Sequence, residues 1–203
     1  MKESCVMKKI FLAIGLALGV GQLAHAQEGA YFGLGAGVNF NSAVSSEVSF
    51  FQATSTDFSL ALTAGYRLPQ MGAGFWGVEL NLDFATGELL ADGNQDACTN
   101  VSPNWCNIDG IARLRATYGH GLGDGSMLMG SLGVASVRGR LEQNPGEYVD
   151  ATGTGFSLGV AWEKPLGDRA VRLDLNYDFI DDDDHPTYPR ELEIIGLRVS
   201  YMF

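Results

Sequence analysis

Cys98 and Cys106 are the residues whose types and spacing most directly indicate a chemistry. Seven residues separate them, inside a polar stretch of the chain. Two thiols without a nearby histidine make a poor zinc site, whereas a short spacing of this kind suits a loop disulfide in an oxidising compartment. The sequence therefore predicts one intramolecular disulfide and no structural metal.

The run Asp181–Asp184, followed by His185, is the second candidate for chemistry. Clusters of carboxylate oxygens can bind calcium, but this run lacks the spaced ligands and the central glycine of an EF-hand loop. A run of acidic residues is usually solvated. We therefore predict no bound metal and no cofactor, and leave open a looser bridging of lipopolysaccharide phosphates by divalent cations.

An acyl-transfer enzyme that modifies lipid A would need a histidine beside a serine at the lipid boundary. Beyond the N-terminal segment the chain has two histidines, His120 next to glycines and His185 in the acidic run. Neither has a serine at a strand position of suitable depth, so the base and nucleophile are not paired. The sequence predicts that the protein is not an enzyme, with a lipid A-modifying activity as a less favoured alternative.

Ten charged residues recur at alternate positions, opposite large apolar residues. Five are basic and five acidic, so they can neutralise one another; buried charges must be paired or hydrated. On a closed sheet they would form a salt-bridged, water-containing plug, or alternatively line a narrow, gated pore; a wide pore needs about 16 strands. The ten are Arg67, Glu79, Asp83, Arg113, Arg115, Glu163, Arg172, Asp174, Asp178 and Arg198.

The elements that carry these charges are segments of about ten residues with alternating polarity. In the third segment, Trp76, Val78 and Leu80 share one face, whereas Glu79 and Asn81 share the other. A period of two over this length is typical of a tilted transmembrane strand. Eight such strands are predicted: 30–40, 58–68, 75–85, 108–118, 127–137, 154–163, 170–179 and 192–203.

The predicted connections alternate between short and long. The short ones, 69–74, 119–126 and 165–169, are rich in glycine, proline and aspartate, whereas 41–57, 86–107, 138–153 and 180–191 are long. This asymmetry is typical of outer-membrane barrels, with short periplasmic turns and longer external loops. The sequence therefore predicts an all-β, eight-stranded antiparallel transmembrane barrel with both termini in the periplasm.

The apolar faces are predicted to point outward. Their large side chains would overfill an eight-stranded interior, whereas the opposite faces are rich in glycine and other small residues. Aromatic residues also fall into two belts around an aliphatic band, as on lipid-facing strands. The belts are Phe32, Tyr66, Trp76, Tyr118, Trp162, Tyr201 and Phe203, and Phe40, Phe58, Phe84, Phe156, Tyr177 and Phe179.

The N-terminal segment reads as an export signal. Lys8 and Lys9 precede the apolar stretch 10–20, and Ala24-His25-Ala26 has the spacing of a signal-peptidase site. We predict a signal peptide over 1–26 and a barrel domain over 27–203, with Met7 as an alternative start. Removing three lysines and one glutamate with the leader changes the net charge from −11 to −13, which argues against binding nucleic acid.

The last strand carries a family resemblance. Residues 192–203 alternate apolar side chains and end in Tyr201-Met202-Phe203. With the leader, the glycine-rich first strand and the eight-strand layout, the chain resembles the outer-membrane β-barrel domain family, which includes the OmpA transmembrane domain and the OmpX/Ail-type barrels. The resemblance implies an integral outer-membrane protein of a Gram-negative cell, surrounded by lipid and lipopolysaccharide.

The resemblance further implies that the barrel assembly machinery recognises Tyr201 and Phe203. We expect a monomer with a structural or surface-interaction role, such as adhesion, carried by external loops. Their host or cell-surface ligand is not indicated by any motif. Fold does not set function on this scaffold.

Overall fold

The structure, a computed structural model, describes residues 28–45, 51–69, 74–88, 90–91, 95–96, 104–144, 147–182 and 190–203. Eight long strands dominate: β1 (Gly29–Ser45), β2 (Phe51–Arg67), β3 (Gly74–Glu88), β4 (Asn104–Gly121), β5 (Met127–Asn144), β6 (Glu147–Leu166), β7 (Arg169–Asp182) and β8 (Arg190–Met202). Two further strands, Leu90–Ala91 and Gln95–Asp96, form a small ladder beside β2. Among these residues, no helix is long and apolar enough to cross a membrane.

The sheet is closed. Each long strand pairs antiparallel with its sequence neighbours, and β1 also pairs with β8. Partners followed once around the barrel from Gly33, by way of Thr63, Asn81, Arg113, Ala135, Gly155, Ile180 and Leu192, return to β1 at Ala43, ten residues further along. With the usual strand spacing and rise, this stagger tilts the strands by about 40° and gives a backbone radius of about 8 Å. An interior of this size is just wide enough to be filled by side chains.

The alternation divides the side chains as predicted. Leu80 is 42% exposed on the outside, whereas Asn81 is fully buried inside. The predicted belt residues all point outward, and several form ring contacts. The ring centroids are 5.0 Å apart for Trp76–Tyr118, 5.3 Å for Phe156–Phe179 and 5.1 Å for Tyr201–Phe203. The prediction that the apolar face lies outside is confirmed.

The strands are longer than predicted, because hydrogen-bonded pairing continues beyond the stretch in which polarity alternates. The β1–β2 ladder runs to Ser45 and Phe51, and the β5–β6 ladder runs to Asn144 and Glu147. Much of 41–57 and 138–153, predicted as loop, is therefore paired strand. The polarity of successive residues alternates only where one face of a strand contacts lipid and the other faces the lumen. A hairpin that extends out of the membrane keeps its backbone pairing but has no such difference between its faces.

The two ends of the barrel differ. Both ends of the described chain, Glu28 and Phe203, lie with the tight connections, and we call this the turn end; the other is the loop end. In the β4–β5 turn, the Ser126 amide and Lys164 Nζ each donate to the Asp124 carboxylate at 3.0 Å. Hydrogen bonds from the Ser126 hydroxyl and amide, and then from Lys164, lower the pKa of Asp124. The β6–β7 connection is only residues 167–168, with Gly167 at a φ of 66°.

Some glycines are required by the tight curvature. At Gly133 an added Cβ would overlap the carbonyl oxygen of Leu114, and at Gly155 it would overlap that of Phe179. Gly130, by contrast, has open space where a Cβ would lie. Gly133 and Gly155 face the lumen and let the neighbouring backbone approach closely. Gly130 lies on the outer face and is not required for a close approach.

Candidate functional site

The lumen collects all ten of the charged residues singled out from the sequence. Their side chains point inward because successive side chains of a strand point to opposite faces. In β3, for example, Glu79 and Asn81 face the lumen, whereas their neighbours Val78, Leu80 and Leu82 face the lipid. None of the ten is more than 4% exposed. The lumen therefore holds these ten formal charges out of contact with bulk water. Asp57, nearer the loop end, is a further buried carboxylate and accepts a hydrogen bond from Asn41 at 2.6 Å.

The half of the lumen nearer the turn end is a chain of four ion pairs. Arg67 contacts Glu163 at 2.7 Å, and Glu163 contacts Arg172 at 3.1 Å. Arg172 also binds Glu79, which in turn contacts Arg115 at 3.1 Å. Each carboxylate here lies between two guanidinium groups, so removing one arginine leaves the carboxylate one partner.

The half nearer the loop end is centred on Arg113, which is fully buried. Its guanidinium contacts Asp83 at 2.5 Å and Asp178 at 2.6 Å. The Ser157 hydroxyl donates to Asp178 at 2.6 Å. A planar guanidinium suits this double contact, because its N–H groups point in several fixed directions.

Arg198 and Asp174 join the two halves. Arg198 contacts Asp83 at 3.0 Å and Asp174 at 3.4 Å, and Asp174 lies 3.9 Å from Arg172. All ten charges are therefore connected in one network with five arginines and five carboxylates. Its net formal charge is zero, and it crosses the lumen from β2 to β8.

Neutral side chains complete the network. The Tyr31 hydroxyl donates to Glu79 at 2.7 Å, and Asn81 donates to Thr63 at 3.0 Å. Arg115 donates to the side-chain oxygens of Asn81 and Asn176. Sequence reasoning did not single out these partners. The amides have a usable signal, since Asn81 lies between Glu79 and Asp83 on the same face and Asn176 lies between Asp174 and Asp178.

Aromatic rings cover the turn-end side of the network. The Arg67 guanidinium lies 4.5 Å from the ring centroid of Tyr31 and 5.0 Å from that of Phe75, and Arg172 lies 5.4 Å from the Tyr31 ring. Such cation–π contacts gain strength where water is excluded. They also occupy space that an aqueous channel would need.

An apolar layer inside the barrel covers the loop-end side, and the sequence analysis missed it. Its members lie nearer the loop end than the charges on the same strands: Ile111 is two residues beyond Arg113, and Ile180 is two beyond Asp178. All are at most 2% exposed. The layer comprises Ala43, Ala85, Ile108, Ile111, Ala135, Val137, Ile180, Leu192 and Ile194.

Other residues named from the sequence lie elsewhere. His120 is exposed at the turn end. The Arg169 guanidinium lies 5.6 Å from the Tyr201 ring centroid and 5.3 Å from that of Phe203. Phe203 also pairs with the backbone of Phe32, at 3.3 and 2.7 Å. Recognition of Tyr201 and Phe203 by the assembly machinery stays a prediction.

The predicted disulfide and the acidic run fall largely outside the described residues. Cys98 is not described, and only the backbone of Cys106, in β4, is described. Of the acidic run, Asp181 and Asp182 end β7, and Asp183 and Asp184 are not described. Within the described part of the chain, no group of three or more histidine, cysteine or acidic residues is arranged to hold a metal ion.

The fold and the lumen together define a small membrane barrel with a charged interior and an apolar exterior. The sequence profile of the outer membrane protein beta-barrel domain matches residues 10–203. The chain belongs to this family and is an integral outer-membrane protein. No curated protein matches the sequence.

Solved structures of small outer-membrane barrels are similar to this chain. Ail, the attachment invasion locus protein of Yersinia pestis, shares 13% identity over 87% of this chain and 100% of Ail, with a TM-score of 0.50. Neisserial surface protein A shares 15% identity over 85% of this chain and 98% of its own length, with a TM-score of 0.46. The N-terminal barrel of Pseudomonas aeruginosa OprF shares 14% identity over 87% of this chain and 98% of its own length, with a TM-score of 0.45. At 13% identity the likeness to Ail shows the fold alone.

Proposed function

We propose that the protein is a non-enzymatic anchor with a sealed lumen, whose role is surface contact by the β-hairpins of its loop end. The observation that carries this proposal is the filled interior. Ten neutralised charges cross the lumen, and an apolar layer covers them on the loop-end side. A path for solutes would require breaking buried ion pairs and wetting the layer, both of which are costly.

The loop end offers surface for a partner. The β5–β6 ladder extends to Asn144 and Glu147, well past the outer aromatic belt at Phe156. The segment 147–153 is paired with β5 and lies beyond the start of the β6–β7 pairing at Thr154. Connecting segments of this kind vary freely on a rigid scaffold and commonly carry binding residues.

Charge constrains the class of partner. In the predicted external segments, the basic residues are Arg138, Arg140 and Arg190, whereas acidic residues are several-fold more numerous. Ail has been solved with a heparin analogue, sucrose octasulfate. The acidic loop end here favours a neutral or basic partner instead, and we expect sucrose octasulfate not to bind. Surrounding lipopolysaccharide, a monomeric state and recognition by the assembly machinery remain part of the proposal.

The test compares the mature protein in lipid nanodiscs with a hairpin-trimmed variant, against a panel of extracellular-matrix and serum proteins. Gly139 and Ala151 are cross-strand partners, so an Asn-Gly turn can replace residues 140–150 without changing the barrel register. The matched control trims β1–β2 between the partners Ala43 and Ala53. We expect trimming of β5–β6 to weaken binding at least tenfold, and trimming of β1–β2 to weaken it less. Absence of any bound partner, or equal binding by all three proteins, would contradict the proposal.

A further inference from the structure

Asp57 is a buried carboxylate that stands outside the ion network. It lies in β2 near the loop end and is 4% exposed. Among the described residues its side-chain partners are neutral: Asn41 Nδ2 donates to its Oδ2 at 2.6 Å, and Ser55 Oγ donates to the same oxygen at 3.1 Å. The ten network charges already neutralise one another. A buried charge is normally paired or binds a metal ion, and otherwise takes up a proton.

The Asn41 amide favours a metal ion over a proton. Asn41 is 3% exposed and turns its N–H group toward Asp57, which suits an ionised carboxylate. Its side-chain oxygen is buried and makes no hydrogen bond within the protein. Buried polar atoms nearly always have a partner. A cation can bind the carboxylate and the amide oxygen together, and so supplies both of the missing partners.

The three side chains are close enough to bind one ion. Asn41 Nδ2 lies 2.8 Å from Ser55 Oγ and 2.6 Å from Asp57 Oδ2, and those two oxygens are 3.1 Å apart. Rotating the amide by half a turn exchanges its nitrogen and oxygen, and gives a triangle of three oxygens with these sides. Seven-coordinate calcium, with ligands at about 2.4 Å, holds neighbouring equatorial oxygens about 2.8 Å apart.

The ligand chemistry narrows the choice of ion. Carboxylate, amide and hydroxyl oxygens suit hard cations, whereas thiolate and imidazole ligands would suit transition metals. Magnesium gives up its water reluctantly and demands near-ideal octahedral geometry. A buried site with a single carboxylate therefore favours calcium.

We propose that Asn41, Ser55 and Asp57 form a calcium site inside the loop end of the lumen, with water completing the coordination. The site is separate from the acidic run, and it differs from the expectation from sequence that no metal is bound. Asn41 and Ser55 are cross-strand partners just beyond the outer aromatic belt, so the ion would hold the base of the extended β1–β2 hairpin. The inference goes beyond the proposed surface contact and does not depend on it.

The test is a calcium chloride titration of the mature barrel, refolded in zwitterionic detergent without lipopolysaccharide and followed by NMR at constant ionic strength. We expect the Asn41 side-chain amide and the Asp57 backbone amide to shift and saturate, with a Kd of about 10⁻⁴–10⁻³ M, the range of extracellular calcium modules. Magnesium chloride at the same concentrations should produce a much smaller shift. Absence of saturation, or equal shifts with magnesium, would overturn the proposal.

Two variants and a matched control test the ligands. Asp57→Asn should abolish the saturable shift. Asn41→Asp should tighten calcium binding at least tenfold, because it adds a second carboxylate ligand. The control Asp109→Asn removes an exposed loop-end carboxylate that is bound by Asn107, and should leave the affinity unchanged.

Saturation that persists in Asp57→Asn, or is lost equally in Asp109→Asn, would overturn the proposal, and so would unchanged or weaker binding by Asn41→Asp. If Asp57→Asn does not fold, the Asn41→Asp titration decides the matter. The trimmed β1–β2 control of the binding test keeps all three ligands. A calcium site without any surface partner would refute the proposed function alone, and a surface partner without a calcium site would refute this inference alone.

Discussion

Arg113 offers the sharpest test of whether the charge network holds the barrel together. It is fully buried between Asp83 and Asp178. Arg113→Met keeps the length and removes the charge. Asp83 retains Arg198 at 3.0 Å, whereas Asp178 is left with the Ser157 hydroxyl as its side-chain partner. Breaking a buried pair on one side costs about 3–5 kcal/mol, because a charge stays buried without compensation.

A double-mutant cycle separates this coupling from lost packing. Adding Asp178→Asn removes the uncompensated charge, so the double variant should be more stable than the sum of the single changes by about 1–3 kcal/mol. The matched control is Arg138→Met with Asp150→Asn. That pair lies 3.6 Å apart with side chains 70% and 73% exposed, and exposed pairs contribute about 0–1 kcal/mol.

The assay is urea unfolding of the barrel refolded in phospholipid vesicles, followed by tryptophan fluorescence. The linear dependence of the unfolding free energy on urea gives each value. If Arg113→Met costs no more than Arg138→Met, or if the inner cycle is additive, the network does not stabilise the barrel and the reasoning fails.

Three further predictions concern the wall, the lipid face and the undescribed loop. Gly133→Ala should destabilise the barrel by about 1–3 kcal/mol in the same assay, since its Cβ meets backbone, whereas Gly130→Ala should cost less than that; equal costs would refute the curvature argument. Leu80→Arg should lower the free energy of unfolding by about 2–4 kcal/mol, because position 80 lies at mid-membrane. A fluorophore on a cysteine at position 80 should be quenched by lipid-chain quenchers and shielded from iodide. The reverse quenching pattern would place this face away from lipid. Denatured protein should label with a maleimide at Cys98 and Cys106 only after reduction, and labelling before reduction would rule out their disulfide.

Alternation in the sequence was sufficient to find the eight strands and to assign their faces. The strand period of two puts Leu80 and Asn81 on opposite faces, and the volume of the interior and the two aromatic belts decide that Leu80 points outward. The same rule places the ten charged residues in the lumen. Strand ends were harder to predict, since the ladders continue as far as Ser45 and Asn144 without the alternation that marks the membrane.

Two features of the interior were beyond the sequence. Which arginine meets which carboxylate depends on the ten-residue stagger around the barrel, so Arg67 reaches Glu163 from a distant part of the chain. The apolar layer could not be recognised in the sequence, because its residues are adjacent to apolar residues that point the opposite way. Ile194 faces the lumen, whereas Ile195 faces the lipid. A pair of adjacent isoleucines carries no facing signal by itself.

Conductance across a planar lipid bilayer tests the central claim most directly, since the sealed lumen separates an anchor from a narrow pore. The mature, folded barrel should insert without producing discrete conductance steps, because paired charges and the apolar layer leave no continuous aqueous path. Incorporation is checked by recovering the folded protein from the same vesicles used for fusion. Reproducible single-channel steps that scale with the amount of folded protein would contradict the account and favour the gated pore.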